Sequence, residues 1–103
     1  MKQRYYTNFD FYYDENTMDI PQHILESEQL SDAAKNIYIY FIYLITENVE
    51  DVLDALSRID EAKKDLEPGL EELLACGLIK NEIKTNEAGE EEVHYIVTKE
   101  MNE

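Results

Sequence analysis

The stretch from Glu50 to Ile79, EDVLDALSRIDEAKKDLEPGLEELLACGLI, most constrains what this chain can fold into. Its apolar residues fall at Val52, Leu53 and Leu56, then at Ile59, then at Leu66, Leu70, Leu73 and Leu74. The first and third groups have the three-and-four spacing of helices that bury one face. The break between them is short and polar, so the spacing predicts helix, tight turn, helix. Gly77 is the expected stop, with Leu78 and Ile79 leading into an extended segment. The outward positions of this unit carry mostly Asp and Glu.

Acidity extends over the whole chain. Twenty-four Asp and Glu oppose nine Lys and Arg, a formal charge of −15. Such a field repels nucleic acid and anionic membranes over about 10 Å at 0.1 M salt, and attracts basic surfaces. The bland account of the same charge is a solvated surface. Hydrophobic residues make up 44% of the sequence, enough to exclude a disordered acidic tail. The 103 residues suit one domain with one modest core. Cys76 stands alone, so no internal disulfide is possible, as in a reducing cytoplasm. Met1 to Asp10 is polar and unlike a signal peptide. The apolar run Ile37 to Ile45 is too short to span a bilayer.

Taken in order, the chain opens on a Tyr-rich stretch, residues 1–13, in which Phe9, Phe11 and Tyr13 alternate as in a strand. DENT, from Asp14 to Thr17, is a turn signal. Pro21 to Glu28 suits a short helix with proline near its first position. Ser31 is an expected N-cap, with Asp32 in the first turn. IYIYFIYLI, from Ile37 to Ile45, has strand-forming composition, but the cap and the uninterrupted run from Ala34 favour helix. A helix apolar all round belongs at the centre or in a dimer interface. The hydroxyls of Tyr38, Tyr40 and Tyr43 are expected at its rim. Thr46 to Val49 connects to a helix over Glu50 to Arg58 capped by Asn48, with Asp60 at the turn. Glu67-Pro68-Gly69 implies that the next helix starts near Glu67 or kinks there. LIKNEIK and VHYIVT, from Leu78 and Val93, flank the loop TNEAGEEE and predict a β-hairpin that the first strand can join. This order is that of an α+β winged helix-turn-helix: three main helices, a hairpin wing and an N-terminal strand. Its core is expected over residues 19–97, with a short acidic tail at 99–103.

The chain resembles the winged-helix N-terminal domains of bacterial replication initiators of the RepA and DnaD type. The resemblance rests on IPQHILESEQLSDAAKNIYIYFIYL as the entry to the long helix and LEELLACGLI as the exit into the wing. Family members that bind DNA place basic and small polar residues along the second helix of the turn and in the wing. The matching positions here are Ala62, Lys63, Lys64, Asp65, Glu67, Glu71 and Glu72, of which only the two lysines fit. From Glu47 to Glu72 there are ten acidic and three basic residues, and from Glu82 to Glu92 five acidic and one basic. The departure speaks against carrying over the family's DNA contacts.

Catalytic signals are weak. His23 and His94 are isolated, no Cys/His cluster has zinc spacing, and EAGEEE lacks the spaced ligands of a calcium loop. There is no glycine-rich phosphate loop. The expectation is a non-enzyme without cofactor. Three functions remain open. In the first, an acidic face formed by Asp51, Asp54, Asp60, Glu61, Asp65, Glu67, Glu71, Glu72, Glu87, Glu90, Glu91 and Glu92 binds a basic nucleic-acid-binding protein as a DNA mimic. Phage and mobile-element inhibitors of CRISPR nucleases, restriction or replication enzymes are the analogy. In the second, the chain is a DNA-binding regulator or initiator using Lys63, Lys64, Lys80 and Lys84, with Lys2 and Arg4. In the third, it is an adaptor or homodimer built on the aromatic first strand or long helix.

Overall fold

The structure is a computed structural model and describes residues 2–7 and 22–101. Four helices and three strands follow in the order β1 (Lys2–Thr7), α1 (Gln22–Leu25), α2 (Asp32–Thr46), α3 (Val52–Ser57), α4 (Asp60–Cys76), β2 (Ile79–Thr85) and β3 (Glu91–Val97). The class is α+β, as the residue pattern implied. The strand expected over residues 1–13 occupies Lys2–Thr7, and the alternation at Phe9, Phe11 and Tyr13 lies outside the described residues.

Helix α2 is the centre of the molecule. Ser31 caps it: its Oγ accepts from the Ala34 N–H at 3.2 Å. Ala34, Ile37, Tyr38, Phe41, Ile42 and Leu44 are buried. Each large apolar side chain of this kind contributes roughly 1.5–3 kcal/mol on leaving water. This burial outweighs the strand propensity of IYIYFIYLI, because packing on both sides decides where local preference is weak. Tyr38 corrects one expectation. Its hydroxyl does not reach the rim but is buried, donating to the Thr98 carbonyl at 2.8 Å.

The connection from α2 to α3 contains a second correction. Asn48 does not cap α3. It sits at φ 59°, just past the C-terminal end of α2, and its N–H donates to the Ile45 carbonyl at 3.0 Å. Asparagine tolerates this left-handed position better than most residues. The cap of α3 is Asp51, whose carboxylate accepts from the Asp54 N–H at 3.0 Å. Consequently α3 begins at Val52 rather than Glu50.

Helix α4 corrects a third expectation. It starts at Asp60, which is therefore in the helix and not in the turn, and it runs through Pro68 to Cys76. Pro68 lies on the exposed side and supplies no N–H to the Lys64 carbonyl. Gly69 faces the other way, against α2, and permits the two helices to approach closely. Gly77 closes α4 at φ 83°, the left-handed stop expected of it.

The sheet order is β1-β3-β2. β2 and β3 pair antiparallel as the expected hairpin, with Ile79 opposite Val97 and Ile83 opposite Val93. β1 joins β3 on its other side in parallel, with Arg4 opposite His94 and Tyr5 opposite Tyr95. Tyr5, Tyr95, Val97 and Ile79 point towards the helices. Tyr5 stacks on Tyr95 with centroids 5.2 Å apart and leans on Phe41 at 6.1 Å. The alternate residues form the outer face: Lys2, Arg4 and Tyr6 on β1, Glu92, His94 and Ile96 on β3, Lys80, Glu82 and Lys84 on β2. Among the described residues no helix is long and apolar enough to cross a membrane.

Candidate acidic interface

Twelve carboxylates are candidates for a partner-binding face, and the structure divides them. Five are engaged within the chain. Asp51 caps α3 and also accepts from the Tyr5 hydroxyl at 3.2 Å. Glu61 accepts from the Tyr40 hydroxyl at 3.4 Å. Asp65 is half-buried and accepts from Asn36 Nδ2 at 3.1 Å. Glu72 accepts from the Ser31 N–H at 3.0 Å and from the Ser31 hydroxyl, tying α4 to the start of α2. Glu92 is buried on the sheet, where Arg4 Nε stands 3.1 Å, His94 Nε2 3.2 Å and Asn86 Nδ2 3.3 Å from its oxygens. The hydrogen bond with His94, and then that from Arg4, hold the Glu92 carboxyl at about 2, well below the ordinary range, against the opposing effect of burial.

Asp54 is exposed but pairs with Arg58 one turn on, at 3.2 Å. The remaining six are exposed and make no side-chain hydrogen bond or ion pair among the described residues. They form two groups. Asp60, Glu67 and Glu71 share an arc of about 40° on α4, at a hundred degrees per residue. Along the axis they stand about 10 Å and about 6 Å apart, at 1.5 Å per residue. Lys64 and Lys63 flank this ridge and are also exposed. Glu87, Glu90 and Glu91 occupy the tip and first strand residue of the hairpin.

The hairpin tip is built by Asn86. Its Oδ1 accepts from the N–H groups of Ala88 and Glu90, both at 2.9 Å, and Gly89 takes φ 80°. This side-chain turn is the conformation that asparagine favours. It presents three carboxylates outward while Asn86 Nδ2 reaches back to Glu92. Sequence reasoning passed over Asn86, although the Asn-x-x-Gly spacing carries the signal. Ile83, 65% exposed, projects from the same hairpin.

The four lysines considered for nucleic acid do not meet. Lys63 and Lys64 lie on α4, the latter about 18 Å along the axis from its C-terminal end. Lys80 and Lys84 lie on the outer face of the sheet, where Lys84 pairs with Glu82 at 3.3 Å. Of the six basic residues grouped by the second reading, Lys2, Arg4, Lys80 and Lys84 share this face and Lys63 and Lys64 do not.

A groove of about 520 Å³ runs between β1 and the α2–α3 connection, lined by Arg4, Tyr6, Ile45, Val49 and Asp51 among others. Asp51 is the one candidate carboxylate in it, and that oxygen is already used as a cap. Among the described residues no three His, Cys, Asp or Glu side chains are grouped to hold a metal ion. Cys76 is half-buried, its Sγ 3.5 Å from the Leu73 carbonyl. Comparison with protein-family models, with curated proteins and with solved structures gave no match.

Proposed function

We propose that this chain is a non-catalytic, winged-helix binding module that docks carboxylates onto a basic, nucleic-acid-binding protein surface and occludes it. In this reading α2, α3 and α4 are the three helices, β2 and β3 the wing, and α4 takes the place of the helix that enters a DNA groove. The observation that carries the reading is the ridge of Asp60, Glu67 and Glu71. These three carboxylates share one stripe of α4, are solvated, and make no side-chain hydrogen bond or ion pair among the described residues. Their axial spacings of about 10 Å and about 6 Å are roughly two to three times the distance of about 3.4 Å at which one strand of duplex DNA presents charge, so the ridge offers the same sign of charge at lower density. Glu87, Glu90 and Glu91 extend the same sign of charge onto the hairpin. A phosphate-binding surface meeting this ridge exchanges one set of anions for another, so association is fast, weakened by salt and competed by DNA.

The test is retention of basic proteins from nuclease-treated lysate on the immobilised chain, eluted by salt, with and without duplex DNA as competitor. The wild type is expected to retain a nucleic-acid-binding protein that DNA displaces. The variant Asp60→Asn/Glu67→Gln/Glu71→Gln is expected to lose it, while Glu72→Gln keeps it. Equal retention by the ridge variant overturns the reading.

A further inference from the structure

Among the described residues the outer face of the sheet has the opposite polarity to the rest of the molecule. It carries Lys2, Arg4, Lys80 and Lys84, four of the chain's nine Lys and Arg, and among the described residues the only acidic side chains on it are Glu82 and Glu92. All four cationic residues are exposed. They flank the central strand, two on each outer strand, about 10 Å apart across two inter-strand spacings. Glu92 engages Arg4 through Nε alone among the described residues, so the Nη groups of a side chain 44% exposed remain for a ligand. Lys84 is held by Glu82, while Lys2 and Lys80 make no ion pair among the described residues. On the central strand between the cations lie Glu92, His94 and Ile96, and Tyr6 follows Arg4 on β1. Tyr6 is 42% exposed and its ring tilts against His94, with centroids 5.3 Å apart.

We propose that this outer sheet face, Lys2, Arg4, Tyr6, His94, Lys80 and Lys84, is a docking surface for single-stranded nucleic acid. An exposed aromatic ring beside cations suits an unpaired strand: a base stacks on the ring while neighbouring phosphates meet Lys and Arg. A duplex keeps its base faces stacked inside and gains only the charge contacts. The net charge of −15 does not forbid contact. The acidic ridge lies on α4 and not on the sheet, whereas the four cations stand on the face itself. Charges further off than the Debye length of about 10 Å at 0.1 M salt are largely screened. This surface is independent of the α4 ridge.

The experiment is fluorescence anisotropy of a labelled twelve-nucleotide oligo-dT, titrated with the full chain at about 0.1 M salt, beside a duplex of equal length. Single strand is expected to bind more tightly than duplex, with a log–log salt slope of about −2, for two to four phosphates at about −0.7 each. Tyr6→Leu, which keeps an apolar group on His94, is expected to weaken binding about five- to a hundredfold. Lys2→Glu/Lys80→Glu, at two exposed positions, is expected to weaken it at least tenfold. The ridge variant Asp60→Asn/Glu67→Gln/Glu71→Gln is expected to keep single-strand affinity, which separates this surface from the one proposed above. No binding by the wild type, equal affinity for duplex, or unchanged affinity in the Tyr6 or lysine variants overturns the proposal.

Discussion

Gly69 of α4 lies against Ile37 of α2 so closely that a methyl group on it would stand 2.7 Å from Ile37 Cγ1 and 2.8 Å from the Ala33 carbonyl oxygen. The carbonyl is backbone and cannot step aside without moving α2. Glycine is present here because the two helices of the core cross with no room for a side chain. Gly69→Ala should therefore destabilise the fold, although alanine is favoured over glycine in a helix by about 1 kcal/mol. Overpacking of this kind typically costs about 1–3 kcal/mol. A lower urea midpoint at unchanged slope is the expected result. A higher midpoint would show that the helices part easily.

The Glu92 carboxyl provides a pH signature. Its folded value, about 2, is below the ordinary 4.5, so its contribution to stability is complete above about 4.5 and is lost as pH falls towards 2. The difference between wild type and Glu92→Gln isolates the group. That difference in urea midpoint should be largest near neutral pH and shrink between pH 4.5 and 2. A constant difference across this window would show that Glu92 is not held by Arg4 and His94 in solution.

Tyr38 makes a buried hydroxyl bond that joins α2 to the end of the sheet. Tyr38→Phe leaves the Thr98 carbonyl without this donor and should cost about 1–3 kcal/mol. Burial also pushes the Tyr38 hydroxyl well above its ordinary value of 10. The neutral form is the one that fits the fold, so stability is held below pH 10 and falls as the unfolded chain ionises above it. Spectrophotometric titration should show Tyr38 ionising only with unfolding, and the alkaline loss should be smaller in the phenylalanine variant.

Ser31 and Glu72 act as one cap. Ser31→Ala removes both the acceptor for the Ala34 N–H and the donor to Glu72, and should cost about 0.5–2 kcal/mol. Glu72→Ala should cost less, since the Ser31 hydroxyl can still cap α2. A double-mutant cycle by thermal melting should give a positive coupling. Additive losses would mean that the two residues do not meet.

How much of this was legible in the residues follows from the range of each signal. The spacing of Val52, Leu53 and Leu56 and of Leu66, Leu70, Leu73 and Leu74, the Ser31 cap, the Gly77 stop and the hairpin were readable because each depends on a few neighbouring residues. Pro68 left open a helix start near Glu67, which the structure moves to Asp60, because the rule for proline weighs only the local backbone. Here the packing of Leu73 and Ala62, and the fit of Gly69 against α2, hold the helix through it. Asn48 and Asp51 are both good capping types three residues apart, and only the path of the chain shows that one closes α2 and the other opens α3. Acidity as such was plain from composition. Which carboxylates are solvated was not, because Glu72 and Glu92 look no different in sequence from Glu71 and Glu91.

The amino-acid sequence by itself determined the elements and their order, since helix periodicity, caps and turns are local chemistry. Only the tertiary structure decided that β1 pairs in parallel with β3, and this depends on contacts ninety residues apart in the chain. That pairing places Arg4 beside Glu92, withdraws one carboxylate from the acidic surface, and gathers Lys2, Arg4, Lys80 and Lys84 on one face. Charge content is a property of the sequence, but charge arrangement is set by which distant strands share an edge.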